Sequence, residues 1–356
     1  MPISVMLKPS SSACNLKCEY CFYNSISNAR DQGFKGMMSE QTAEQVLLKA
    51  FDFADGSDVF FTFQGGEPLL RGLDFFKWFI EREKLLNVRN SKISNCIQTN
   101  ATLIDDNWCC FFKENNILVG VSLDGDEELN SYRKYPNGEN SFNDIMHGIE
   151  LLKRYGIAFN ILSVLTSRLA QNVRKSYRFF KQNDLHYLQY IPCLKPFDET
   201  QNKYSMTNED YKGYLKSCYK IYYNDNMRGN LMSIRQFDNY ALLAGGKPAE
   251  QCGMNGPCST QFVVEGDGSV YPCDFYCTDE WLLGNINDKD FRELYNSKKS
   301  VDFLKESFII KDECKQCEYF SLCRGGGCKR NRQNADYCSA YKAFFDSSTD
   351  MILKMR

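Results

Sequence analysis

The chain has 356 residues, a net charge of −2 and an apolar fraction of 43%, room for one large domain or two ordinary ones around a buried core. The balanced charge excludes a basic field for nucleic acid or an anionic membrane, no run approaches the ~20 apolar residues that cross a bilayer, and Met1–Pro9 turns polar too soon for a secretory signal. A cytoplasmic protein is expected, in which 17 cysteines read as metal ligands rather than as a disulfide framework.

In chain order, short apolar runs at Ile3–Lys8, Asp58–Phe63, Lys92–Thr99, Ile117–Leu123, Ile157–Leu165 and Tyr187–Ile191 alternate with segments of helical period. Leu73, Phe76, Phe79 and Ile80 form one such stripe, and Ile145, Ile149 and Leu152 another. The alternation predicts an α/β fold, a parallel sheet with helices outside it. Six units make a partial (β/α)6 version of the eight-unit TIM barrel, whose chemistry sits at the C-terminal strand ends. Residues 1–195 are read as this barrel. Residues 196–250 form a helical bridge, its helix starting at the cap Thr207 with Asp210 three residues on and running to about Asn224. Residues 251–356 are a Cys-rich domain in which Gln261–Glu265 and Ser269–Cys273 flank Gly266-Asp267-Gly268 as a hairpin. The two histidines, His147 and His186, lie in segments that read as packed structure, so a His-rich zinc site is not expected.

Directly after the first strand stands Cys14-Asn-Leu-Lys-Cys18-Glu-Tyr-Cys21. Three thiolates in eight residues can wrap one face of a cuboidal iron–sulfur cluster, and a missing fourth ligand leaves a coordination position open. The other reading is a zinc knuckle, but no His or fourth Cys follows nearby. After the second strand comes Gln64-Gly65-Gly66-Glu67-Pro68, where paired glycines admit a close ligand and Glu67 can accept from an ammonium group. Alone this motif is more often a turn. Near the C-terminus, Cys314-x2-Cys317-x5-Cys323 is a tight metal-binding run, which in isolation suits zinc or iron–sulfur.

The Cys-x3-Cys-x2-Cys spacing, followed by the aromatic Phe22, resembles the signature of radical S-adenosylmethionine (SAM) enzymes. In that family the open iron chelates SAM, and one-electron reduction releases a 5′-deoxyadenosyl radical. The resemblance implies that Cys14, Cys18 and Cys21 hold the first 4Fe–4S cluster. It also implies that Tyr23, Gly65, Gly66, Glu67, Ser122, Arg133 and Leu194 contact SAM. Read from position alone, Ser122 is a strand-end hydroxyl and Arg133 a surface salt bridge. The C-terminal cysteines resemble the twin-cluster SPASM extension. That resemblance assigns one auxiliary 4Fe–4S cluster to Cys252, Cys258, Cys273 and Cys328, and the other to Cys314, Cys317, Cys323 and Cys338. Cys323-Arg-Gly-Gly-Gly-Cys328 carries one residue more than the Cys-x3-Cys expected, and Cys277 has no place in the pattern and is read as a spare thiol. Cys96, Cys109, Cys110, Cys193 and Cys218 read as small hydrophobes packed in strands or helices.

Over nearly the whole chain the sequence resembles anaerobic sulfatase-maturating enzymes, most specifically in Cys252-Gly-Met-Asn-Gly and in Val270-Tyr-Pro-Cys273-Asp274-Phe-Tyr276. The resemblance implies oxidation of a Cys or Ser in a sulfatase, within a Cys/Ser-x-Pro/Ala-x-Arg motif, to Cα-formylglycine. It implies Asp274 as the base, the auxiliary clusters as electron acceptors, and a donor such as flavodoxin or ferredoxin. On position alone Asp274 is a hairpin-end carboxylate in a salt bridge. Ala101 stands where the family has Gly, and Asn130 near where it often has His. The rival expectations are a SPASM enzyme that crosslinks a ribosomal peptide, a ferredoxin-type carrier and a zinc-ribbon interaction protein.

Overall fold

The computed structural model describes residues 1–197, 202–334 and 336–355; of the bridge segment, residues 198–201 lie outside the described residues. The chain forms two compact units. The first comprises Met1–Ser122, Arg133–Phe159 and Thr260–Phe303, and the second Leu123–Tyr132, Asn160–Ser259 and Leu304–Arg356.

The first unit is built on strands β1 (Ile3–Leu7), β2 (Val59–Phe63), β3 (Ile93–Thr99) and β4 (Leu118–Ser122), all parallel. Each expected run overlaps its strand, with ends shifted by at most two residues. Ile3, Val5 and Leu7 are buried on one face of β1 while Ser4 is exposed, the period of two that a pleated strand imposes. The helix Leu73–Leu86 buries Phe75, Phe76, Phe79 and Ile80. Phe76 and Phe79 meet Phe63 of β2 edge-on at 5.0 and 5.1 Å. Each such buried ring contributes roughly 2–3 kcal/mol, and this packing holds the end of β2 in place.

The C-terminal cysteine region contributes strands to the same sheet. Beyond the helices of the second unit come β8 (Phe262–Val264), β9 (Ser269–Tyr271) and β10 (Gly284–Asn285). In the first unit the strand order is β10-β9-β8-β1-β2-β3-β4. β8 runs parallel to β1, with Val5 opposite Phe262 and Leu7 opposite Val264, and β9 returns antiparallel through the expected hairpin. The residues that follow β1 and β8 therefore emerge side by side.

In the second unit β5 (Phe159–Leu165, its first residue belonging to the first unit), β6 (Tyr187–Pro192) and β7 (Ser233–Ile234) are parallel. The helix Asn208–Met227 starts on a complete capping box: the Thr207 hydroxyl accepts from the Asp210 amide, and the Asp210 carboxylate accepts in return from the Thr207 amide. Tyr211, Tyr214, Leu215, Cys218, Tyr219 and Tyr222 line its buried face at helical spacing. That face packs on the helix Cys338–Lys354, where Tyr211 and Tyr341 share a hydroxyl–hydroxyl bond of 3.0 Å and Tyr219 meets Phe344 at 5.3 Å.

Four details differ from expectation. His147 and His186 are both exposed: each lies at an element whose buried face is supplied by other residues. Cys110 is exposed on the outer side of the helix Asp106–Glu114, whereas its neighbour Cys109 is buried. Cys193 is buried but lies just past β6 rather than within it. Arg133 is buried rather than at the surface, its guanidinium 5.4 Å from the Tyr20 ring. Among the described residues, no helix is long and apolar enough to cross a membrane.

Ala101 is fully enclosed and left-handed, with φ of 63°. A Cβ in that region crowds the following carbonyl and costs roughly 1–2 kcal/mol, which explains why Gly suits the position. The lost methyl burial and the greater freedom of the unfolded chain nearly cancel that strain, so Ala101→Gly is expected to shift stability by less than about 1 kcal/mol. Denaturant midpoints check this; a larger loss would mean that the buried methyl outweighs the strain.

Candidate active site and metal centres

The first cluster loop leaves β1 at Leu7. Cys14 and Cys21 are exposed and Cys18 half-buried, and the Cys14 thiol lies in electrostatic range of the other two. The loop is tied down by backbone: the Cys21 amide donates to the Cys18 carbonyl at 3.3 Å and the Lys17 amide to the Lys134 carbonyl at 2.7 Å. Glu19 and Lys134 add an ion pair.

Each residue of Gly65-Gly66-Glu67 has a physical reason to be what it is. Both glycines are left-handed, with φ of 100° and 52°. A Cβ on Gly66 would stand 2.1 Å from the Ala13 carbonyl oxygen, in the cluster loop itself, and a Cβ on Gly65 would meet the Lys8 side chain at 2.8–3.0 Å. Glu67 is buried; its Oε1 accepts from the Leu69 amide (3.0 Å) and the Thr99 hydroxyl (2.8 Å), and its Oε2 from the Asn100 amide (2.7 Å). Burial pushes its carboxyl up to about 7, against the pull of those three donors. Asn100 in turn donates to Asn15 Oδ1 at 2.8 Å, beside the Cys14 sulfur. Glu67 thus clasps the ends of β2 and β3 to the cluster loop. Glu67→Gln leaves at least one of those donors facing an amide hydrogen, at a cost of about 1–3 kcal/mol. The variant is expected to keep its iron and to bind SAM roughly fivefold to a hundredfold more weakly, an effect of that same size. Equilibrium SAM binding with parallel iron analysis measures this, and unchanged affinity would reduce the motif to a turn.

Ser122, at the end of β4, accepts from Gln98 Nε2 at 3.1 Å. The Tyr23 side chain is buried, its hydroxyl donating to Glu265 and accepting from Arg30 at 3.0 Å. Leu194 is buried in the second unit. Asn130, also there, is buried and accepts from the Asp124 amide at 3.2 Å, so it shapes its own loop.

Asp274 follows the hairpin in a short 3-10 turn, buried. Its Oδ1 accepts from Lys8 Nζ at 2.5 Å and its Oδ2 from Gln64 Nε2 at 2.8 Å. Lys8 is fully buried and sits 3.9 Å over the Tyr23 ring. Burial, the largest influence, would lower its ammonium; the charges of Asp274, Cys277 and Glu265 overcome this, and the net shift is upward. No sequence motif marks Lys8 or gives Gln64 a role. The one available signal is a lysine closing an otherwise apolar strand. Arg30 and Glu265, paired at 2.9 Å without solvent access, also lie outside any motif. Cys277 is enclosed by Ile26, Val263 and Tyr271, a setting for an inert thiol.

In the second unit Cys314, Cys317, Cys323 and Cys338 all line one cavity of about 710 Å³, together with Tyr319 and Tyr341. Burial pushes the Cys323 thiol up to about 12, and a metal that replaces the proton relieves that. Cys252, Cys258 and Cys328 also belong to the second unit and lie within electrostatic range of one another. Gly253 lies so close that a Cβ would stand 2.6 Å from that of Cys328. Gly325, Gly326 and Gly327 are all left-handed (φ 83–97°), which coils the extra residue into the turn before Cys328. Cys273 belongs to the first unit. Among the described residues no three His, Cys, Asp or Glu side chains close on a point for a single ion. Cys314, Cys317, Cys323 and Cys338 surround a volume, as ligands of a multi-iron cluster do, and these four thiols fit such a group.

A parallel strand–helix unit with three cysteines after its first strand, in a chain that also gathers one group of four cysteines and one of three toward its C-terminus, defines a radical SAM enzyme with an iron–sulfur extension. The radical SAM superfamily model matches residues 9–179, and the SPASM iron–sulfur cluster-binding domain model matches 257–318. The fold is accordingly the partial (β/α)6 barrel of the radical SAM type with a C-terminal Cys-rich SPASM domain. The chain is 45% identical to the cysteine-type anaerobic sulfatase-maturating enzyme of Clostridium perfringens, over 97% of this chain and 96% of that one. It is 33% identical to the serine-type enzyme of Bacteroides thetaiotaomicron, over 97% and 89%. The solved structure of native anSMEcpe with bound AdoMet and Cp18Cys peptide superimposes with a TM-score of 0.93 at 43% identity, covering 99% of this chain and 98% of that one. The chain belongs to the anaerobic sulfatase-maturating enzymes.

Proposed function

We propose that the protein oxidises a cysteine side chain of a sulfatase polypeptide, within a Cys-x-Pro/Ala-x-Arg motif, to Cα-formylglycine, with Asp274 as the base. The observation that carries this reading is the Asp274 carboxylate, held by Lys8 and Gln64 in the same unit as the Cys14–Cys21 loop and Gly65-Gly66-Glu67. Cysteine over serine is supported by the higher identity to the cysteine-type relative.

Cys14, Cys18 and Cys21 would hold the first cluster, which reduces SAM when both are bound. Tyr23, Gly65, Gly66, Glu67, Ser122, Arg133 and Leu194 form the SAM site; the Tyr23 hydroxyl is engaged elsewhere, which leaves its backbone for the cofactor. Cys252, Cys258, Cys273 and Cys328 ligate one auxiliary cluster, and Cys314, Cys317, Cys323 and Cys338 the other. When bound, SAM and the clusters supply a 5′-deoxyadenosyl radical that takes a hydrogen atom from the substrate CH2, and an acceptor for the second electron. Asp274 takes the proton. The substrate, short of one hydrogen atom, one proton and one electron, is a thioaldehyde, and water replaces its sulfur as sulfide. A carboxylate positioned for that proton contributes roughly 10²–10⁴-fold. An electron donor of flavodoxin or ferredoxin type completes the cycle.

The test is anaerobic incubation of the reconstituted enzyme with SAM, a reductant and Cys-x-Pro-x-Arg and Ser-x-Pro-x-Arg peptides, read by mass spectrometry. Formylglycine from the cysteine peptide is expected. A crosslinked peptide instead, or no change with either peptide while SAM is cleaved, would overturn the reading.

A further inference from the structure

We infer that Lys8 is a positioning residue that aims the Asp274 carboxylate at the substrate, an inference that rests on the reading of Asp274 as base. Asp274 sits in a short 3-10 turn after a hairpin, and such a turn alone leaves its side-chain torsions free. Lys8 Nζ takes Oδ1 at 2.5 Å and Gln64 Nε2 takes Oδ2 at 2.8 Å. Two donors on the two oxygens fix both the position of the carboxylate and the rotation of its plane, leaving its remaining lone pairs in a set direction.

Lys8 is itself closely enclosed. Its ammonium rests 3.9 Å over the Tyr23 ring. That ring is pinned by Glu265 and Arg30, and the Lys8 amide donates to the Val264 carbonyl at 2.8 Å. The Lys8 side chain passes where Gly65 has no Cβ: a methyl there would stand 2.8 Å from Lys8 Cγ and 2.9 Å from Nζ. A first glycine is therefore required at this place for the lysine to reach the base, apart from any contact with SAM. A buried, unbranched cation threaded past a glycine onto one carboxylate is costly to build, and a pair of apolar residues would serve stability as well.

Positioning and mere structural support separate in the ratio of 5′-deoxyadenosine to formylglycine formed per turnover. Hydrogen abstraction precedes proton loss, so a misaimed base lets radical chemistry start and fail. Lys8→Met is expected to keep its iron content and SAM affinity and to raise that ratio on the order of tenfold to a hundredfold, as small misplacements at reacting centres do. Lys8→Gln retains a donor and is expected to fall between Lys8→Met and the wild type; it also serves if Lys8→Met does not fold. A wild-type ratio in either folded variant overturns the inference, as does a loss of iron and of both products in parallel. Asp274→Asn is run beside them. If it makes formylglycine normally, the base reading itself fails; if it uncouples while the Lys8 variants do not, the Lys8 inference alone fails.

Discussion

Asp274→Asn is expected to load all its clusters, to cleave SAM and to yield almost no formylglycine. The amide is isosteric, and its carbonyl oxygen can still accept from Lys8 in place of Oδ1. What is lost is a basic oxygen. Hydrogen-atom abstraction needs no base, so 5′-deoxyadenosine still forms, and deuterium at the substrate β-carbon still reaches it. Formylglycine is expected to fall by roughly 10²–10⁴-fold, the usual contribution of a positioned base. Cleavage without product distinguishes a base from a residue that supports a cluster, whose loss would lower iron as well. Near wild-type yield would refute the role and direct attention to another acceptor in the buried group around Tyr23 and Glu265.

Changing Cys14, Cys18 and Cys21 together to Ala is expected to abolish SAM cleavage completely and to leave about eight of about twelve iron atoms per chain, the count for two of three four-iron clusters. The three residues share one loop in the first unit, whereas Cys314, Cys317, Cys323 and Cys338 line their own cavity in the second, so auxiliary loading is expected to survive. Iron and sulfide analysis of anaerobically reconstituted protein measures this, with 5′-deoxyadenosine as the second readout. Four or fewer iron atoms in carefully reconstituted wild type would overturn the twin-cluster assignment; residual SAM cleavage in the triple variant would move the SAM site elsewhere.

Features with a local period or a fixed spacing are legible from the residues alone. Alternating apolar runs set β1 to β6, because a strand needs its buried face every second residue. The Thr207–Asp210 box set a helix start, because those two side chains satisfy each other's amides. The cluster loop after β1 was legible as chemistry, because three soft ligands in eight residues suit a metal cluster, whereas Gly65-Gly66-Glu67 after β2 reads alone as a turn and gains a role only from the family resemblance. Tertiary structure decided what depends on partners far along the chain. Lys8 and Asp274 lie 266 positions apart and meet because β8 pairs with β1 in a register that sets Leu7 opposite Val264. No local pattern states which edge of the sheet a distant hairpin will join. The burial of Cys277 against Val263 and Tyr271, and the pairing of Lys8 with Asp274, follow from that docking. A side chain's environment is set by what packs against it, and here the packing residues come from the opposite end of the sequence.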